Sequence, residues 1–294
     1  MRKSLKTIPA LLLAGIFLCV SCLPAQAQPL ESAPPIQLTA PSYLLADAET
    51  GAIIFEKGAD TPRQVASLTK LMTVLLVLER LDRGEISLDD TVAVSKTAAS
   101  APGSTALLDA GASYRVEDLL RSAIVASGND SATALAEHLA GSEEAFVALM
   151  NRKAGELGMK HTHFANCTGL TSPEHYSSAA DLAVLLQAAL NNETFRTVFT
   201  TGQYTSSVTA QHPKGLYMAS TLLSRLDGGE VTGGQILGGK TGYTDAAGLC
   251  LASLAVVNGK EYILVTLGAP GNHATEQTNI MDAVQVYRRL EKKK

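Results

Sequence analysis

The chain has 294 residues, of which 46% are hydrophobic and 18% charged, and its formal net charge is −4. A chain of this size and composition can bury a sizeable core, either as one large domain or as two smaller ones. It has no basic surplus and no basic cluster of note, so it lacks the electrostatic footprint of a nucleic-acid-binding protein, and we expect no nucleic-acid partner.

Residues 1–27 have the pattern of a secretory signal peptide. Three basic side chains precede an apolar run over 8–20, and Ala25-Gln26-Ala27 supplies small residues for cleavage. The run is too short for a comfortable membrane span. We therefore expect an exported protein, secreted or held in the periplasmic or cell-wall space, with no strong membrane anchor. Lipid attachment at Cys22 is a less favoured alternative, because Cys19 stands where lipoprotein signals usually have leucine.

Loss of the signal peptide would make the chain more acidic. It removes three of the 24 basic side chains and none of the 28 acidic ones, so the net charge falls from −4 to −7. Cys167 and Cys250 remain, and export would permit a disulfide, but the sequence does not decide whether the two thiols meet. Residues 28–40, rich in Pro, Ala and Gln, are predicted to form a flexible leader.

The strand-like segments lie at the two ends of the remaining chain. They are 42–47, 52–56, 248–256 and 261–267. Turns at 49–51 and at Asn258-Gly259 predict two hairpins, and a last helix is expected over 275–290. The stretch 84–181 is predicted to be mostly helical, and a region of mixed character follows it. Its clearest helices are 116–125, 130–139 and 143–157. This order predicts one sheet closed by distant segments, with a helical lobe inserted between them.

The segment Ser67-Leu68-Thr69-Lys70 combines a nucleophile with a base. Three residues apart on a helix, Ser67 and Lys70 share one face, and the apolar stretch 71–78 predicts a helix that runs through a core. Burial lowers the pKa of an amine, so a neutral Lys70 could take the proton of Ser67. Pro62 indicates that the helix begins just before Ser67, where its dipole favours negative charge. Alternatively, Ser67 caps the helix and Lys70 reaches solvent.

Two further motifs carry polar groups suited to a binding cleft. Ser127-Gly128-Asn129 falls in a break between helices, where Gly128 permits an unusual backbone angle. A loop there can present a hydroxyl and an amide, although capping of the next helix is the ordinary alternative. Lys240-Thr241-Gly242, on a predicted edge strand, suits a carboxylate. Its alternative is a glycine-rich turn with a solvated lysine.

The three motifs each occur once, in an order shared by β-lactamases and penicillin-binding proteins. The surrounding matches are Ala66–Met72, Asp130, His163-Phe164, Gly169-Leu170 and Tyr243-Thr244-Asp245. Over roughly 41–291 the chain resembles the D-alanyl-D-alanine carboxypeptidases among the low-molecular-weight penicillin-binding proteins. The resemblance implies an α/β (α+β) fold of the serine β-lactamase/transpeptidase type, with an antiparallel sheet flanked by helices. It implies a catalytic domain over 41–294.

The resemblance also implies a reaction. Ser67 would attack the carbonyl between the two terminal D-alanines of a peptidoglycan stem pentapeptide, with Lys70 as general base. Ser127 would relay a proton to the departing D-alanine, and water would hydrolyse the acyl-enzyme. β-Lactam antibiotics would be covalent inhibitors, and transpeptidation through the same acyl-enzyme stays open. No metal or organic cofactor is implied.

The implied substrate contacts come from the second and third motifs. Asn129 would hold the substrate amide, and Lys240 and Thr241 would bind the terminal carboxylate or support the proton relay. Gly242 would line the same site. Backbone N–H groups of Tyr243 and of the nucleophile would form the oxyanion hole, where side-chain identity matters little.

The chain departs from the family pattern at three places. Many of these carboxypeptidases have a histidine where this chain has Tyr243, and many have an arginine near the start of the last helix, whereas 271–275 contains none. Carboxylate binding would then rest more on Lys240 and Thr241. The chain ends after its last helix, so we expect the family's C-terminal β-domain and membrane anchor to be absent.

Two other functions fit the sequence less well than a carboxypeptidase does. A serine β-lactamase is disfavoured by Gly128, where class A enzymes have aspartate, and by the lack of a Glu-x-x-Leu-Asn loop. A non-catalytic β-lactam or muropeptide binder is disfavoured by the complete catalytic set. His161-Thr162-His163 is interpreted as structural rather than as a metal site, and Asp130 and Asp245 as acceptors that fix loops.

Overall fold

The computed structural model describes residues 36–226 and 229–290. The predicted signal peptide, Cys22 and the last four residues lie outside this part of the chain. Among the described residues, no helix combines the length and the apolar character needed to cross a membrane.

A six-stranded antiparallel sheet forms the centre of the fold. In chain order the strands are β1 (Ser42–Asp47), β2 (Ile53–Lys57), β3 (Thr91–Ala93), β4 (Ser113–Arg115), β5 (Gln203–Thr205), β6 (Tyr217–Ala219), β7 (Glu230–Val231), β8 (Gly234–Thr244), β9 (Gly248–Val257) and β10 (Lys260–Ala269). The main sheet has the order β2-β1-β10-β9-β8-β7, and β3–β4 and β5–β6 form two small ribbons. Pairing of β1 with β10 confirms that distant segments close one sheet.

Helices cover both faces of this sheet. They are α1 (Lys70–Asp82), α2 (Lys96–Ala99), α3 (Val116–Arg121), α4 (Asn129–Ala140), α5 (Glu143–Glu156), α6 (Ala179–Leu190), α7 (Glu193–Phe199) and α8 (Thr278–Leu290). A 3₁₀ turn, Ala66–Thr69, leads into α1, and a π-helical turn, Ser122–Ala126, continues α3. The predicted lobe helices are confirmed. α6 and α7 were not predicted, and α8 begins three residues later than expected.

Strands β1, β9 and β10 are largely apolar because both of their faces are buried. On β1, Leu44 faces the larger core with α1 and α6, whereas Leu45 faces a smaller core with α8. On β10, Val265 faces the larger core and Leu264 faces the smaller one. Alternation of side chains along a strand sends neighbours to opposite faces, so a sheet covered on both sides gives continuous apolar runs.

The predicted leader extends too far into the chain. Its described part, 36–40, packs against the fold: Leu38 and Ala40 are buried. The Asp282 carboxylate on α8 accepts hydrogen bonds from the Thr39 N–H (2.9 Å), the Thr39 hydroxyl (2.8 Å) and the Ala40 N–H (3.0 Å). The composition of this segment resembles a linker, but an acceptor more than 200 positions away orders it.

Candidate active site

Ser67 lies in the 3₁₀ turn before α1, and Lys70 is the first residue of that helix. Lys70 Nζ is 2.9 Å from Ser67 Oγ and donates to the Thr168 carbonyl at 2.8 Å. Lys70 is fully buried, and burial lowers its pKa to about 7 against the opposing influence of Cys167 and Asp130. Neutral and charged amine therefore coexist near neutral pH, and Lys70 does not reach solvent.

Ser127 forms a second serine–lysine pair with Lys240. Its backbone is left-handed, with φ 61° and ψ 29°, which is uncommon for a residue other than glycine. Ser127 Oγ accepts a hydrogen bond from Lys240 Nζ at 2.8 Å. Lys240 is fully buried, and burial, followed by the nearby charge of Lys70, moves its pKa well below the ordinary value.

Gly128 does not adopt the unusual backbone angle that was predicted for it. Its φ is −60°, so the unusual backbone angle belongs to Ser127. A Cβ at position 128 would lie 2.7 Å from Asp130 Oδ1 and 2.7 Å from Ser122 Oγ. Glycine is therefore needed for space rather than for φ.

Asn129 begins α4 and faces the loop before it. Its Nδ2 donates to the Pro102 carbonyl at 2.5 Å, and its backbone N–H donates to the Ser104 carbonyl at 2.7 Å. Its Oδ1 is buried and has no hydrogen-bond partner within the described part of the chain. Asp130 accepts from the Ala106 N–H at 2.9 Å, which confirms that it fixes a loop. The amide oxygen of Asn129 is left available for a ligand.

The third motif and the nucleophile line the same cleft. Residues lining this cleft include Ser67, Ser104, Ser127, Thr221, Arg225, Thr241, Gly242, Tyr243, His273 and Gln277. β7 pairs only with Gly234 and Gln235 at the start of β8, so the Lys240-Thr241-Gly242 end is an edge of the main sheet, as predicted. A Cβ at position 242 would lie 3.0 Å from the Ser67 nitrogen, so glycine lets β8 approach the nucleophile closely.

The predicted site residues thus come together. Five of them line the cleft: Ser67, Ser127, Thr241, Gly242 and Tyr243. The amines of Lys70 and Lys240 lie behind the two serines. Thr241 Oγ1 donates to Thr221 Oγ1 at 2.6 Å. The Tyr243 hydroxyl donates to Asp245 at 2.6 Å, and its ring meets His273 edge to face at 4.8 Å.

Several residues contribute to the site although they belong to none of the three sequence motifs. The Asn166 side-chain oxygen accepts from the N–H groups of Gly169 (2.7 Å) and Leu170 (3.2 Å), which shapes the loop whose Thr168 carbonyl holds Lys70. An asparagine shortly before a glycine is a turn signal that could have indicated this loop. Arg225 belongs to the region of mixed character, where no pattern singled it out.

The remaining candidates have no part in the cleft. Cys167 and Cys250 are both buried and free, so they do not form the disulfide that export would permit. His163 Nδ1 donates to the Glu174 carbonyl at 2.6 Å, which is a structural contact. Within the described residues, no group of three or more His, Cys, Asp or Glu side chains could hold a metal ion.

Comparisons with known proteins give a consistent result. The family model for D-alanyl-D-alanine carboxypeptidases, peptidase S11, matches residues 27–271. The D-alanyl-D-alanine carboxypeptidase DacF of Bacillus subtilis is 38% identical over 247 residues, covering 83% of this chain and 61% of the relative. The chain thus spans less than two thirds of the length of that relative.

Solved structures agree with the sequence relatives. The D-alanyl-D-alanine carboxypeptidase DacD of Francisella tularensis is 31% identical with a TM-score of 0.74, over 90% of this chain and 73% of that one. The DD-transpeptidase of Streptomyces K15 is 28% identical with a TM-score of 0.77, over 88% of this chain and 100% of that one. The family match over residues 27–271 spans the positions of both serine–lysine pairs.

Proposed function

The chain belongs to the D-alanyl-D-alanine carboxypeptidase family, peptidase S11, and on that premise we propose that it removes the terminal D-alanine from peptidoglycan stem pentapeptides. The observation that carries this proposal is the pairing of Ser67 with the buried amine of Lys70, at a cleft shared with the Ser127–Lys240 pair. The catalytic domain extends over 41–294, with the helical lobe at about 84–181.

Lys70 is the general base in the proposed reaction. Its neutral amine takes the proton of Ser67 as Oγ attacks the carbonyl between the two D-alanines. Backbone N–H groups of Ser67 and Tyr243 stabilise the oxyanion. Ser127 gives its proton to the departing amine of D-alanine and regains one from the lysines behind it. Water then attacks the ester on Ser67, and this releases the shortened peptide and restores the hydroxyl.

Substrate binding uses groups that line the cleft, together with Asn129, two residues beyond Ser127. The unpartnered Oδ1 of Asn129 accepts a substrate N–H, because a buried carbonyl oxygen without a partner is costly unless a ligand supplies one. Thr241 and Gly242 on the open edge of β8 hold the terminal residue. Lys240 already donates to Ser127 Oγ and to the Thr241 carbonyl, so it supports the proton relay rather than binding the carboxylate directly.

Covalent labelling tests the nucleophile. A β-lactam resembles the terminal D-Ala-D-Ala, so a fluorescent penicillin should attach to Ser67 and remain bound on denaturing gels. Ser67→Ala should abolish the label while leaving thermal unfolding unchanged. Persistent labelling of this variant would remove Ser67 from its role.

Penicillin labelling, with a pentapeptide turnover assay, also distinguishes a carboxypeptidase from a serine β-lactamase and from a non-catalytic binder. Rapid release of hydrolysed penicillin would favour a serine β-lactamase. Stable labelling without any turnover of a pentapeptide would favour a β-lactam or muropeptide binder.

Transpeptidation is a second candidate, because the full chain of the Streptomyces K15 DD-transpeptidase is matched. An amine from a second stem peptide would then replace water at the same acyl-enzyme. Product analysis on a pentapeptide muropeptide distinguishes the two reactions. Free D-alanine with a tetrapeptide indicates hydrolysis, and a cross-linked dimer indicates transfer.

We also infer that the protein is exported, since the pattern of residues 1–27 supports cleavage after Ala27. Amino-terminal sequencing of the mature protein should then begin at Gln28. A lipid-modified Cys22 at the amino terminus would contradict a freely released product.

A further inference from the structure

We propose that His175 is a positioning residue: through the hydroxyl of Thr69 it holds the backbone of Ala66 in the conformation that directs Ser67 toward Lys70. The inference rests on the proposed acylation of Ser67. His175 lies in the loop before α6, far from Ser67 in the sequence.

Ala66 is the residue whose conformation needs support. Its φ is 47°, in the left-handed region that residues with a Cβ rarely adopt. Such a backbone persists only where its surroundings hold it, and it recurs at functional sites. Ala66 directly precedes Ser67, so its backbone sets the direction in which the Ser67 side chain leaves the turn.

A chain of two hydrogen bonds holds this residue. The Ala66 carbonyl accepts from Thr69 Oγ1 at 2.8 Å, and Thr69 Oγ1 lies 2.7 Å from His175 Nε2. Thr69 and His175 are both fully buried. The two bonds therefore do not compete with water.

The neighbours of the ring determine its tautomer. The Ala165 N–H points to His175 Nδ1 at 3.1 Å, and an N–H can only donate, so Nδ1 carries no proton. The ring proton is then on Nε2 and is donated to Thr69 Oγ1. Thr69 can direct its own proton to the Ala66 carbonyl, which can only accept. Burial, with the charges of His163 and Lys70, lowers the pKa of His175 to about 4, which keeps the ring neutral.

The loop that contains His175 also positions Lys70, the proposed base. Its Thr168 carbonyl accepts from Lys70 Nζ at 2.8 Å. Gly169 packs so tightly on the Ala66 carbonyl that a Cβ there would lie 1.9 Å from the oxygen. Edge-to-face contact of Phe164 with His175 at 5.7 Å braces the ring. The loop thus sets the positions of both Ser67 and Lys70.

Two matched pairs of variants test the proposal. Thr69→Val removes the hydroxyl and keeps the branched shape, and Thr69→Ser keeps the hydroxyl. His175→Asn loses the donor to Thr69, and His175→Gln can keep an N–H near the position of Nε2. The measurement is the rate constant for acylation by a labelled penicillin, resolved from its non-covalent dissociation constant, with thermal unfolding recorded for each protein.

We expect Thr69→Val and His175→Asn to acylate roughly 10–100-fold more slowly, as a misplaced nucleophile should, with the dissociation constant nearly unchanged. Thr69→Ser and His175→Gln should recover most of the rate. The double variant Thr69→Val/His175→Asn should be no slower than the slower single variant, because both break one chain of hydrogen bonds.

Wild-type rates in folded Thr69→Val and His175→Asn would overturn the proposal, as would fully additive losses. A change in the dissociation constant with an unchanged acylation rate constant would also overturn it. If Thr69→Val does not fold, the histidine pair decides alone. Absence of labelling in the wild-type protein would instead overturn the proposed function, so the two failures are distinguishable.

Discussion

Lys70 and Lys240 are both fully buried, and each places its amine beside a serine hydroxyl. Burial lowers the pKa of both amines because a charged amine loses its hydration there. The charge of Lys70 lowers the pKa of Lys240 further, so two protonated amines are disfavoured together. In the proposed reaction, we expect one lysine to accept the proton of Ser67 while the other donates toward Ser127.

Lys70→Arg should show whether Lys70 acts as a general base or only through its positive charge. Arginine stays protonated at any ordinary pH, so penicillin acylation should fall by about 10²–10⁴-fold, the contribution of a positioned base. In the unmodified protein, acylation should rise with pH through about 7, because Lys70 must lose its proton to act. Stopped-flow acylation rates across pH measure both effects.

Lys153→Arg is the matched control, since Lys153 forms partly buried ion pairs with Glu79 and Glu156, and none of these residues lines the cleft. It should acylate at the unmodified rate. A fast Lys70→Arg variant, or a rate that falls as pH rises through 7, would leave Lys70 with an electrostatic role only.

Arg225 is the exposed cation on the wall of the cleft. One of its nitrogens donates to the Thr221 carbonyl at 2.6 Å, and this anchors the guanidinium near Thr241. We expect it to supply the charge that the family's missing arginine would give. Arg225→Ala should then raise KM for a pentapeptide by roughly 10–100-fold, the range for a hydrogen bond to a charged group.

A peptide ending in D-alaninamide provides the control, because it lacks the carboxylate. Its KM should be nearly the same for Arg225→Ala and the unmodified protein. Equal effects on acid and amide would mean that Arg225 shapes the cleft without recognising charge. Arg152→Ala, at an exposed ion pair with Glu156, should change neither value.

At the scale of elements, the site depends on where helices begin and where loops touch them. The 3₁₀ turn before α1 presents Ser67, and the π-helical turn after α3 ends at the left-handed Ser127. Neither irregularity has a sequence signature, because each arises from contacts with other segments. Gly169 provides such a contact for the first turn.

Gly169→Ala and Gly84→Ala should differ in effect. Both glycines have positive φ, at 90° and 69°, so each alanine costs about 1–2 kcal/mol of backbone energy. A Cβ at Gly84 meets nothing within 4 Å, whereas one at Gly169 would lie 1.9 Å from the Ala66 carbonyl oxygen. Gly169→Ala should therefore unfold at clearly lower urea concentration and acylate slowly.

Gly84→Ala should show only the smaller loss of stability, with an unchanged acylation rate. If the two variants behaved alike, the loop would be able to move away from Ala66, and its packing would not determine the position of Ser67.

At the scale of the molecule, features set by local sequence patterns were predictable from the sequence, whereas features set by long-range contacts were not. The hairpin at Asn258-Gly259 was predictable because both residues favour the positive φ observed there, 51° and 76°. Helix α6 was missed because its more exposed face carries apolar residues such as Ala180 and Val184, so no amphipathic period marks it. The contact of His175 with Thr69, 106 positions apart, has no local signal at all.

The three motifs were recognisable because their residue types are constrained by chemistry. Their assembly depends on the pairing of β8 with β9 and on packing around α1, which the sequence order alone does not specify. The carboxylate of Asp282 is a further long-range contact, since it joins residues 39 and 40 to helix α8.

Asp282→Ala should reveal how much this closure stabilises the whole fold. The variant leaves the buried Ala40 N–H without its acceptor, which costs about 1–3 kcal/mol, and it removes the hydrogen bonds of the exposed Thr39, which cost less because water can replace the acceptor. We therefore expect the free energy of unfolding to fall by about 2–4 kcal/mol in urea titrations. Asp89→Ala is the matched control, because Asp89 forms an exposed ion pair with Arg115 and such pairs contribute about 0–1 kcal/mol. Equal losses in the two variants would mean that residues 36–40 do not stabilise the sheet they cover.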